Sequence, residues 1–165
     1  ATAALGAHGE GSREGDGAIP GMGDYLERGP ITGHSNPIAP PFQVWADWED
    51  RVARGVGRFG SAHEGGPGIA HGGFVAAVLD EALGMATIFS GGPGMTGELT
   101  IRYRRPTPLH RELSIVARLD EQSGRRLTMS AEMHDGGTLI AEASALFVAV
   151  GDEKFSALDA ERRRG

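Results

Sequence analysis

Residues 71–83 of the 165-residue chain read His-Gly-Gly-Phe-Val-Ala-Ala-Val-Leu-Asp-Glu-Ala-Leu, and this stretch decides the fold. Two glycines open a segment that stays apolar on nearly every side until Gly91-Gly-Pro-Gly94 interrupts it. A helix without a polar face belongs inside a protein, because a surface helix keeps one polar side. The pattern therefore predicts a buried helix from about Gly72 to Ser90, covered by a sheet and by a second copy of the chain.

Apolar residues alternate with polar ones after the predicted helix, which indicates antiparallel strands. Short segments rich in glycine, serine and aspartate separate these strands and have the residues of tight hairpin turns. The alternating segments are Thr96–Tyr103, residues 113–119, residues 127–133 and Leu139–Val150. The expected fold is α+β, with one long central helix wrapped by a curved antiparallel sheet of about five to six strands.

Composition divides the chain into three predicted parts. Residues 1–41 are rich in glycine, proline and charge, which is typical of a flexible arm. Residues 42–150 hold the helix and the strands, beginning with a strand at Phe42–Trp48 and an edge-type strand within residues 51–63. Residues 151–165 form a polar C-terminal tail.

Charge and cysteine content exclude several classes of function. A net charge of −6 argues against a general nucleic-acid binder. The absence of cysteine excludes disulfides, thiolate metal sites and cysteine nucleophiles. No segment reaches the roughly 18 uninterrupted apolar residues of a membrane span, and the N-terminus lacks the pattern of a secretory signal. We therefore expect a cytoplasmic protein with no nucleic-acid partner and no membrane span.

The glycines at the start of the helix form a candidate binding site for a carbonyl group. The first N–H groups of a helix have no partner within it and attract negative charge. Gly72 and Gly73 carry no side chain that would block approach, so an acyl carbonyl resting on the Gly72 N–H would be polarised. The alternative is that the two glycines only allow the preceding loop to pack tightly.

Asp80 is the candidate catalytic acid. A carboxylate in an apolar helix is costly unless it has a partner or a chemical task. It either acts in catalysis or binds a neighbouring backbone group or arginine, whereas Glu81 is expected to be structural. Thr96 opens the next strand, and its hydroxyl is a candidate to hold an attacking water beside Asp80, although a threonine at a strand start is also ordinary.

The spacing between the two candidate groups bears on how the site is built. Gly72 and Asp80 are eight residues apart, so along one helix they are separated by about 12 Å. They cannot both contact one carbonyl group. If both act on the same substrate, they come from antiparallel helices of two subunits, and catalysis requires a dimer.

A resemblance to a known family rests on three features: His71-Gly72-Gly73, Asp80, and Thr96 followed by the segment that ends in Arg104-Arg105-Pro106. They resemble the hotdog-fold acyl-CoA thioesterases, in the branch of the phenylacetate-pathway enzymes and the human thioesterase-superfamily-member proteins. Glu64-Gly-Gly-Pro-Gly68 also resembles a loop of that branch. The resemblance covers about residues 42 to 150.

The resemblance implies hydrolysis of an acyl-CoA thioester without a metal or another cofactor. In this family the residues at Gly72, Asp80 and Thr96 would act as oxyanion donor, as general base or nucleophile from the partner subunit, and as the group that orients the water. His71 would order the turn before the helix. The residues expected to bind substrate are Gly73, Gly65, Arg104 and Arg105.

Two further implications concern the loop and the assembly. Some relatives place an amide side chain before the histidine as a second contact to the carbonyl; here Gly65-Gly66 stands there, so backbone replaces it or the contact is missing. Arg104 and Arg105 either bind the phosphates of coenzyme A or are ordinary solvated residues. The family forms homodimers, which often pair as a dimer of dimers.

Two other functions remain open from the sequence. A hotdog hydratase or dehydratase would need an acid and a histidine facing the same carbon, and His63, His110 and His134 do not have the expected spacing. A non-catalytic acyl-CoA-binding protein is the second alternative. The presence of both Asp80 and Thr96 weighs against it, because a binding protein has no need of a buried acid.

Overall fold

The computed structural model describes residues 29–162 and residue 164 of the chain. Eight strands and two α-helices lie within this part. The strands are β1 (Gln43–Asp47), β2 (Val52–Gly57), β3 (Glu64–Gly66), β4 (Ile69–Ala70), β5 (Gly94–Tyr103), β6 (Leu113–Ser123), β7 (Arg126–Asp135) and β8 (Thr138–Ala149). The helices are α1 (Gly72–Ala86) and α2 (Asp152–Arg162). Residues 1–28 of the predicted arm lie outside the described residues, so the three-part division stays a prediction.

One antiparallel sheet forms the body of the protein, with α1 packed against its concave side. Its six strands follow the order β1-β2-β6-β7-β8-β5, so β1 and β5 are the two edges. Residues of β6, β7 and β8 alternate between buried and exposed positions, and the buried apolar ones face the helix. The predicted α+β fold, with one long helix on an antiparallel sheet of six strands, is confirmed.

The predicted edge strand is not at an edge. β2 ends at Gly57, and it pairs with β1 on one side and with β6 on the other. The arginines in the predicted strand suggested an exposed edge, but the exposed positions here are those on the outer face of the sheet. Arg54 projects from that face and pairs with Asp47 at 2.7 Å. An arginine on the outer face is therefore compatible with an internal strand of a one-sided sheet.

α1 carries the apolar core of the domain. It continues as a 3-10 turn over Thr87–Ser90 and ends at Gly91, whose φ of 98° is in the left-handed region that glycine adopts without strain. The end at Ser90 agrees with the prediction. The buried residues of α1 are Val75, Val78, Leu79, Ala82, Leu83 and Ala86.

The helix and its extension are also apolar enough to resemble a membrane span. Gly72–Ser90 is 19 residues long with a mean hydropathy of 1.5, which the count of uninterrupted apolar residues did not reveal. Such values are common to membrane helices and to core helices of soluble proteins. Contacts with all six strands of the six-stranded sheet are those of a core helix.

The segment before β1 is attached to the body at two places. The His63 Nε2 lies 2.9 Å from the carbonyl oxygen of Ile38. The Thr32 hydroxyl donates a hydrogen bond of 3.3 Å to a carboxylate oxygen of Glu81 on α1. Residues 29–41 therefore run along one flank of the helix, and Glu81 has the structural contact that was expected of it.

Two elements were not anticipated from the sequence. The short β3–β4 hairpin lies in the glycine-rich loop before α1, where glycine and proline favour a loop without strands. The polar tail contains α2, whose residues are mostly exposed. Neither element shows the apolar periodicity on which the sequence analysis depended.

Candidate active site

The start of α1 is held by His71, which is the residue that caps the helix. The Nδ1 atom of its ring accepts a hydrogen bond of 3.0 Å from the Gly73 N–H. Its backbone N–H donates to the His63 carbonyl at 2.7 Å. Because Nδ1 accepts, the ring hydrogen of the neutral imidazole is on Nε2. His71 thus caps the helix start.

Gly72 presents a backbone N–H with no hydrogen-bond acceptor among the residues that the structure describes. The Gly73 N–H next to it is occupied by His71, so the two predicted glycines differ in what they offer. A half-buried N–H at a helix start, with the dipole of 15 helical residues behind it, suits a developing negative charge.

Asp80 and Thr96 are in direct contact. The Thr96 hydroxyl donates a hydrogen bond of 2.9 Å to Asp80 Oδ1. The carboxylate is half-buried rather than fully buried, since it lies on a side of α1 that the sheet leaves open. This contact leaves Oδ2 of the carboxylate and the lone pairs of the threonine oxygen available to a water molecule.

A β-bulge turns Thr96 toward the helix. The register between β5 and β8 shifts between Thr96 and Glu98, so that Thr96 is opposite the buried Phe147 and Glu98 is opposite Leu146. Strict alternation would have placed Thr96 on the outer face together with Glu98. Bulges commonly redirect a side chain next to a functional site, and the extra residue here is Gly97.

Gly65 packs against the helix cap instead of standing open. A Cβ atom at this position would lie 2.5 Å from the Cα of His71, which no real contact allows. The glycine is therefore required for the loop to lie against His71. The structure places Gly65 against His71, the residue before Gly72, and gives it a packing contact, while its predicted role in substrate binding stays a prediction.

The two predicted arginines follow the end of β5 and differ in their contacts. Arg104 pairs with Glu142 on β8. Arg105 is exposed, and its guanidinium has no acceptor within residues 29–162. Their backbone N–H groups both donate to the Ile140 carbonyl, at 2.8 and 3.1 Å, which fixes where the two side chains leave the sheet.

Tyr103 is a further part of the site, which was not predicted from the sequence. Its hydroxyl donates a hydrogen bond of 2.7 Å to the Gly72 carbonyl. The alternation of β5 did place Tyr103 on the same side as Leu99 and Ile101, toward the helix. Which turn of the helix it meets depends on the register between sheet and helix, and that is not visible in the sequence.

No metal centre is indicated near these residues. Across the described part of the chain, no three histidine, aspartate or glutamate side chains come together as metal ligands would. The polar groups around the open side of α1 that could take part in a reaction are those of Asp80, Thr96, Gly72, His71 and Tyr103.

The similarity of this chain to known proteins covers these same residues. A family model described as the thioesterase superfamily matches residues 67–142, which hold the helix cap, α1, β5, β6 and β7. The bovine acyl-coenzyme A thioesterase THEM4 is 41% identical over 95 residues, which are 56% of this chain and 39% of that protein.

Residues 67–142 of this chain belong to the thioesterase superfamily.

Solved members of the thioesterase superfamily have the same fold. One thioesterase superfamily protein superposes with a TM-score of 0.70 at 35% identity, covering 74% of this chain and 63% of the other. A hypothetical thioesterase from Streptococcus pneumoniae, solved with coenzyme A, superposes with a TM-score of 0.62 over 73% of this chain and 94% of the other. At 19% identity the second likeness shows the fold alone. The predicted hotdog fold is confirmed.

The match to the curated relatives is partial. The chain spans only 37 to 40% of the length of the acyl-coenzyme A thioesterases THEM4 and THEM5 that it matches. Shared membership of the thioesterase superfamily is therefore a statement about this domain and its fold.

Proposed function

We propose that this protein hydrolyses acyl-coenzyme A thioesters to a free acid and coenzyme A. The observation that carries the proposal is the Thr96–Asp80 hydrogen bond of 2.9 Å on the open side of a helix whose first N–H has no acceptor among the described residues. A carboxylate that can accept a proton and a donor for an oxyanion are the two groups that acyl transfer to water requires. Relatives named acyl-coenzyme A thioesterases add support for the substrate class.

Hydrolysis begins when the thioester carbonyl oxygen rests on the Gly72 N–H. Attack of water on the carbonyl carbon converts this oxygen to an oxyanion, whose charge is stabilised by the N–H and by the helix dipole. The carbon–sulfur bond then breaks. The coenzyme A thiolate leaves and takes up a proton, while the acyl group keeps the oxygen of the water as a carboxylic acid.

Asp80 and Thr96 supply the nucleophile in this scheme. The threonine hydrogen is directed at Asp80 Oδ1, so the threonine oxygen accepts a hydrogen bond from the water and holds it beside Oδ2. Asp80 then removes a proton from that water as general base. The alternative is that Asp80 attacks the carbonyl itself, expels the coenzyme A thiolate and forms a mixed anhydride that water then hydrolyses. Label found in Asp80 after a single turnover in ¹⁸O-labelled water, from attack of water on the Asp80 carbonyl carbon, would establish this nucleophilic role.

The catalytic groups come from two chains in this proposal. α1 is continuous from Gly72 to Ala86, so the two groups of one chain are about 12 Å apart along the helix axis. A second copy, running antiparallel, brings its Asp80 to the first copy's Gly72. The homodimer then contains two equivalent sites, and a dimer of dimers would contain four.

The nucleotide end of coenzyme A is assigned to the arginines after β5. Arg105 is exposed and unpaired within the described residues, so it is better placed than Arg104 to meet a phosphate. Arg104 would first have to leave Glu142. The substrate proposal therefore expects Arg105→Ala to raise KM for acyl-CoA while kcat stays unchanged, since the phosphates are remote from the reacting carbonyl.

Release of free coenzyme A from a panel of acyl-CoA thioesters of different chain length tests the proposal. The parent protein should hydrolyse at least one of them, and Asp80→Asn should be slower by about 10² to 10⁴-fold. Glu81→Gln is the matched control, because it changes the neighbouring carboxylate without touching Thr96. Absence of turnover by the parent over the whole panel would reject a hydrolase.

The hydratase alternative is less compatible with the site. His63 has both ring nitrogens in hydrogen bonds, to the Gly60 N–H and the Ile38 carbonyl, each at 2.9 Å. His134 lies on β7 beside Glu132, at 3.7 Å, and the neighbouring Met133 is the residue that faces the core. Neither histidine is available to act with Asp80 on one carbon atom.

A further inference from the structure

The Gly72 N–H can stabilise an oxyanion only if its direction is fixed. Glycine has more backbone freedom than any other residue, so two successive glycines at a helix start do not hold their own geometry. A donor that moves away from the oxyanion loses most of its catalytic effect. Something outside the two glycines must therefore orient the backbone around Gly72.

The peptide unit that follows the Gly72 Cα is held at both ends. Its carbonyl oxygen accepts the hydrogen bond of 2.7 Å from the Tyr103 hydroxyl. Its nitrogen, which belongs to Gly73, donates to His71 Nδ1 at 3.0 Å. The first bond comes from strand β5 and the second from the helix cap, so this peptide is fixed relative to both sheet and helix.

The peptide unit that precedes the Gly72 Cα is held at its oxygen. The His71 carbonyl accepts hydrogen bonds from the N–H groups of Phe74 and Val75, at 3.0 and 3.3 Å. Three of the four polar backbone groups on the two sides of Gly72 are thus engaged. The Gly72 N–H is the one that the described residues leave free, and its direction follows from the other three.

We propose that Tyr103 is a positioning residue for the oxyanion donor, acting through the Gly72 carbonyl together with His71. The inference rests on the function proposed above. The ring approaches residue 72 closely, since a Cβ atom there would lie 3.2 Å from both Cζ and the hydroxyl oxygen of Tyr103, so that the ring would have to shift by a few tenths of an ångström. Tyr103 itself is not a catalytic residue, because its hydroxyl is directed at the backbone and not at the substrate.

A purely structural role for the hydroxyl is the competing explanation. The Tyr103 side chain is 52% exposed, and a hydrogen bond formed in solvent adds little to folding because water replaces it when it is lost. Tyr103→Phe keeps the ring and removes only the hydroxyl. A positioning role predicts a fall in kcat of about tenfold with KM changed less than twofold, because an oxyanion bond strengthens only in the transition state. A structural role predicts a lower Tm and an unchanged kcat for the folded enzyme.

Ser130→Ala is the matched control for loss of a hydroxyl. The Ser130 hydroxyl also donates an exposed hydrogen bond, of 2.9 Å, to Asp120. Its neighbours in β7 are buried against the helix, so Ser130 itself is on the other face of the sheet. It should leave kcat, KM and Tm as in the parent. A Tyr103→Phe protein with the kcat of Ser130→Ala would overturn the proposal.

A second readout separates this inference from the proposed activity. In protein labelled with ¹⁵N-glycine, Tyr103→Phe should shift the amide signals of Gly72 and Gly73 and speed the hydrogen exchange of Gly73, whereas Ser130→Ala should not. Unchanged signals of both glycines would overturn the positioning role whatever the kinetics show. If the parent hydrolyses no acyl-CoA, the proposed function fails, and the amide signals alone decide whether Tyr103 orients Gly72.

Discussion

The Thr96 hydroxyl donates a 2.9 Å hydrogen bond to Asp80 Oδ1, across the gap between the first strand after the helix and the helix itself. The bond exists because a bulge at Gly97 reverses the side on which the strand presents its residues from that point. An acid on a helix and a hydroxyl on a strand are thereby joined into one unit. The remaining carboxylate oxygen is the group to which we assign proton transfer.

Thr96→Val should reduce kcat by about tenfold while the fold is kept, because it replaces the hydroxyl with a methyl group of similar size and leaves the water without its second contact. Thr96→Ser keeps the hydroxyl and should retain most of the activity. Steady-state release of coenzyme A measures both. Equal loss in the two variants would show that the shape of residue 96 matters and its hydroxyl does not.

Gly65→Ala should lower Tm and disturb the helix start. The added Cβ atom would collide with backbone atoms of His71, which cannot move aside as a flexible side chain would. We expect a destabilisation of about 1–3 kcal/mol, typical of overpacking. Gly137→Ala is the control, since nothing lies within 4 Å of its added Cβ. Thermal melts of equal Tm for the two variants would contradict the assigned contact.

The open side of α1 should be covered by a second copy of the chain. Gly73, Ala77, Asp80 and Gly84 share this side at helical spacing, and none of them is buried in one chain. A Cβ atom at Gly84 would meet nothing within 4 Å, so a large residue there is tolerated by the single chain.

Gly84→Arg should therefore convert a dimer into a monomer and remove activity. Sedimentation of the parent should give the mass of a dimer, and that of Gly84→Arg the mass of a single chain with Tm little changed. Gly137→Arg, placed in the hairpin turn between β7 and β8, should remain dimeric. A parent protein that sediments as a monomer would refute the shared site.

Acid should weaken the turn between β1 and β2. The hydrogen bond from Arg54 lowers the pKa of Asp47 below its usual 3.8, helped by the backbone N–H of Asp50. A folded-state pKa below the unfolded one means that the ionised carboxylate stabilises the fold above pH 3.8 and that this stabilisation is lost as the pH falls through the lowered value.

Asp47→Asn should consequently lower Tm at neutral pH, and its difference from the parent should shrink as the pH falls below 3.8. Melts across this range check the sign. Glu49→Gln removes one negative charge from the same turn and serves as the control for net charge. A difference in Tm that stays constant from neutral to acid pH would contradict the role given to the Arg54 contact.

The sequence was sufficient to predict the elements in which apolar residues follow a regular pattern. The unbroken apolar stretch after Gly72 predicted the helix, and the period of two predicted the strands that wrap it, because burial imposes both patterns on the residues. β3, β4 and α2 lack such a pattern. The position of β2 inside the sheet was missed because exposed arginines look the same on an edge strand and on the outer face of an internal one.

Residue type and spacing select the members of the candidate site, but not the hydrogen bonds that join them. His71, Gly72, Asp80 and Thr96 stand out by residue type and spacing, yet Thr96 reaches Asp80 only because of a bulge that alternation does not reveal. Tyr103 was missed for a related reason, since its partner is a backbone carbonyl, which no sequence pattern marks. Bonds between distant segments depend on register, and register is set by the whole sheet.

In the proposed enzyme each site combines Gly72 of one chain with Asp80 of another. A test of this pairing requires a variant that lacks only the oxyanion donor. Gly72→Pro removes the N–H at the first position of the helix, where proline is well tolerated, and the extended His71 backbone, with φ −62° and ψ 131°, suits a residue before proline. Gly72→Ala is its control, because it adds the same Cβ and keeps the N–H.

Mixing Gly72→Pro with Asp80→Asn after unfolding and refolding them together is the most direct measurement. Each variant alone should be inactive. In a mixed dimer one of the two sites has both an intact Gly72 and an intact Asp80, so an equimolar mixture should recover about a quarter of the parent activity if subunits pair at random. A mixture as inactive as its components, while the parent is active and the mixed dimer is shown to form, would contradict the shared site.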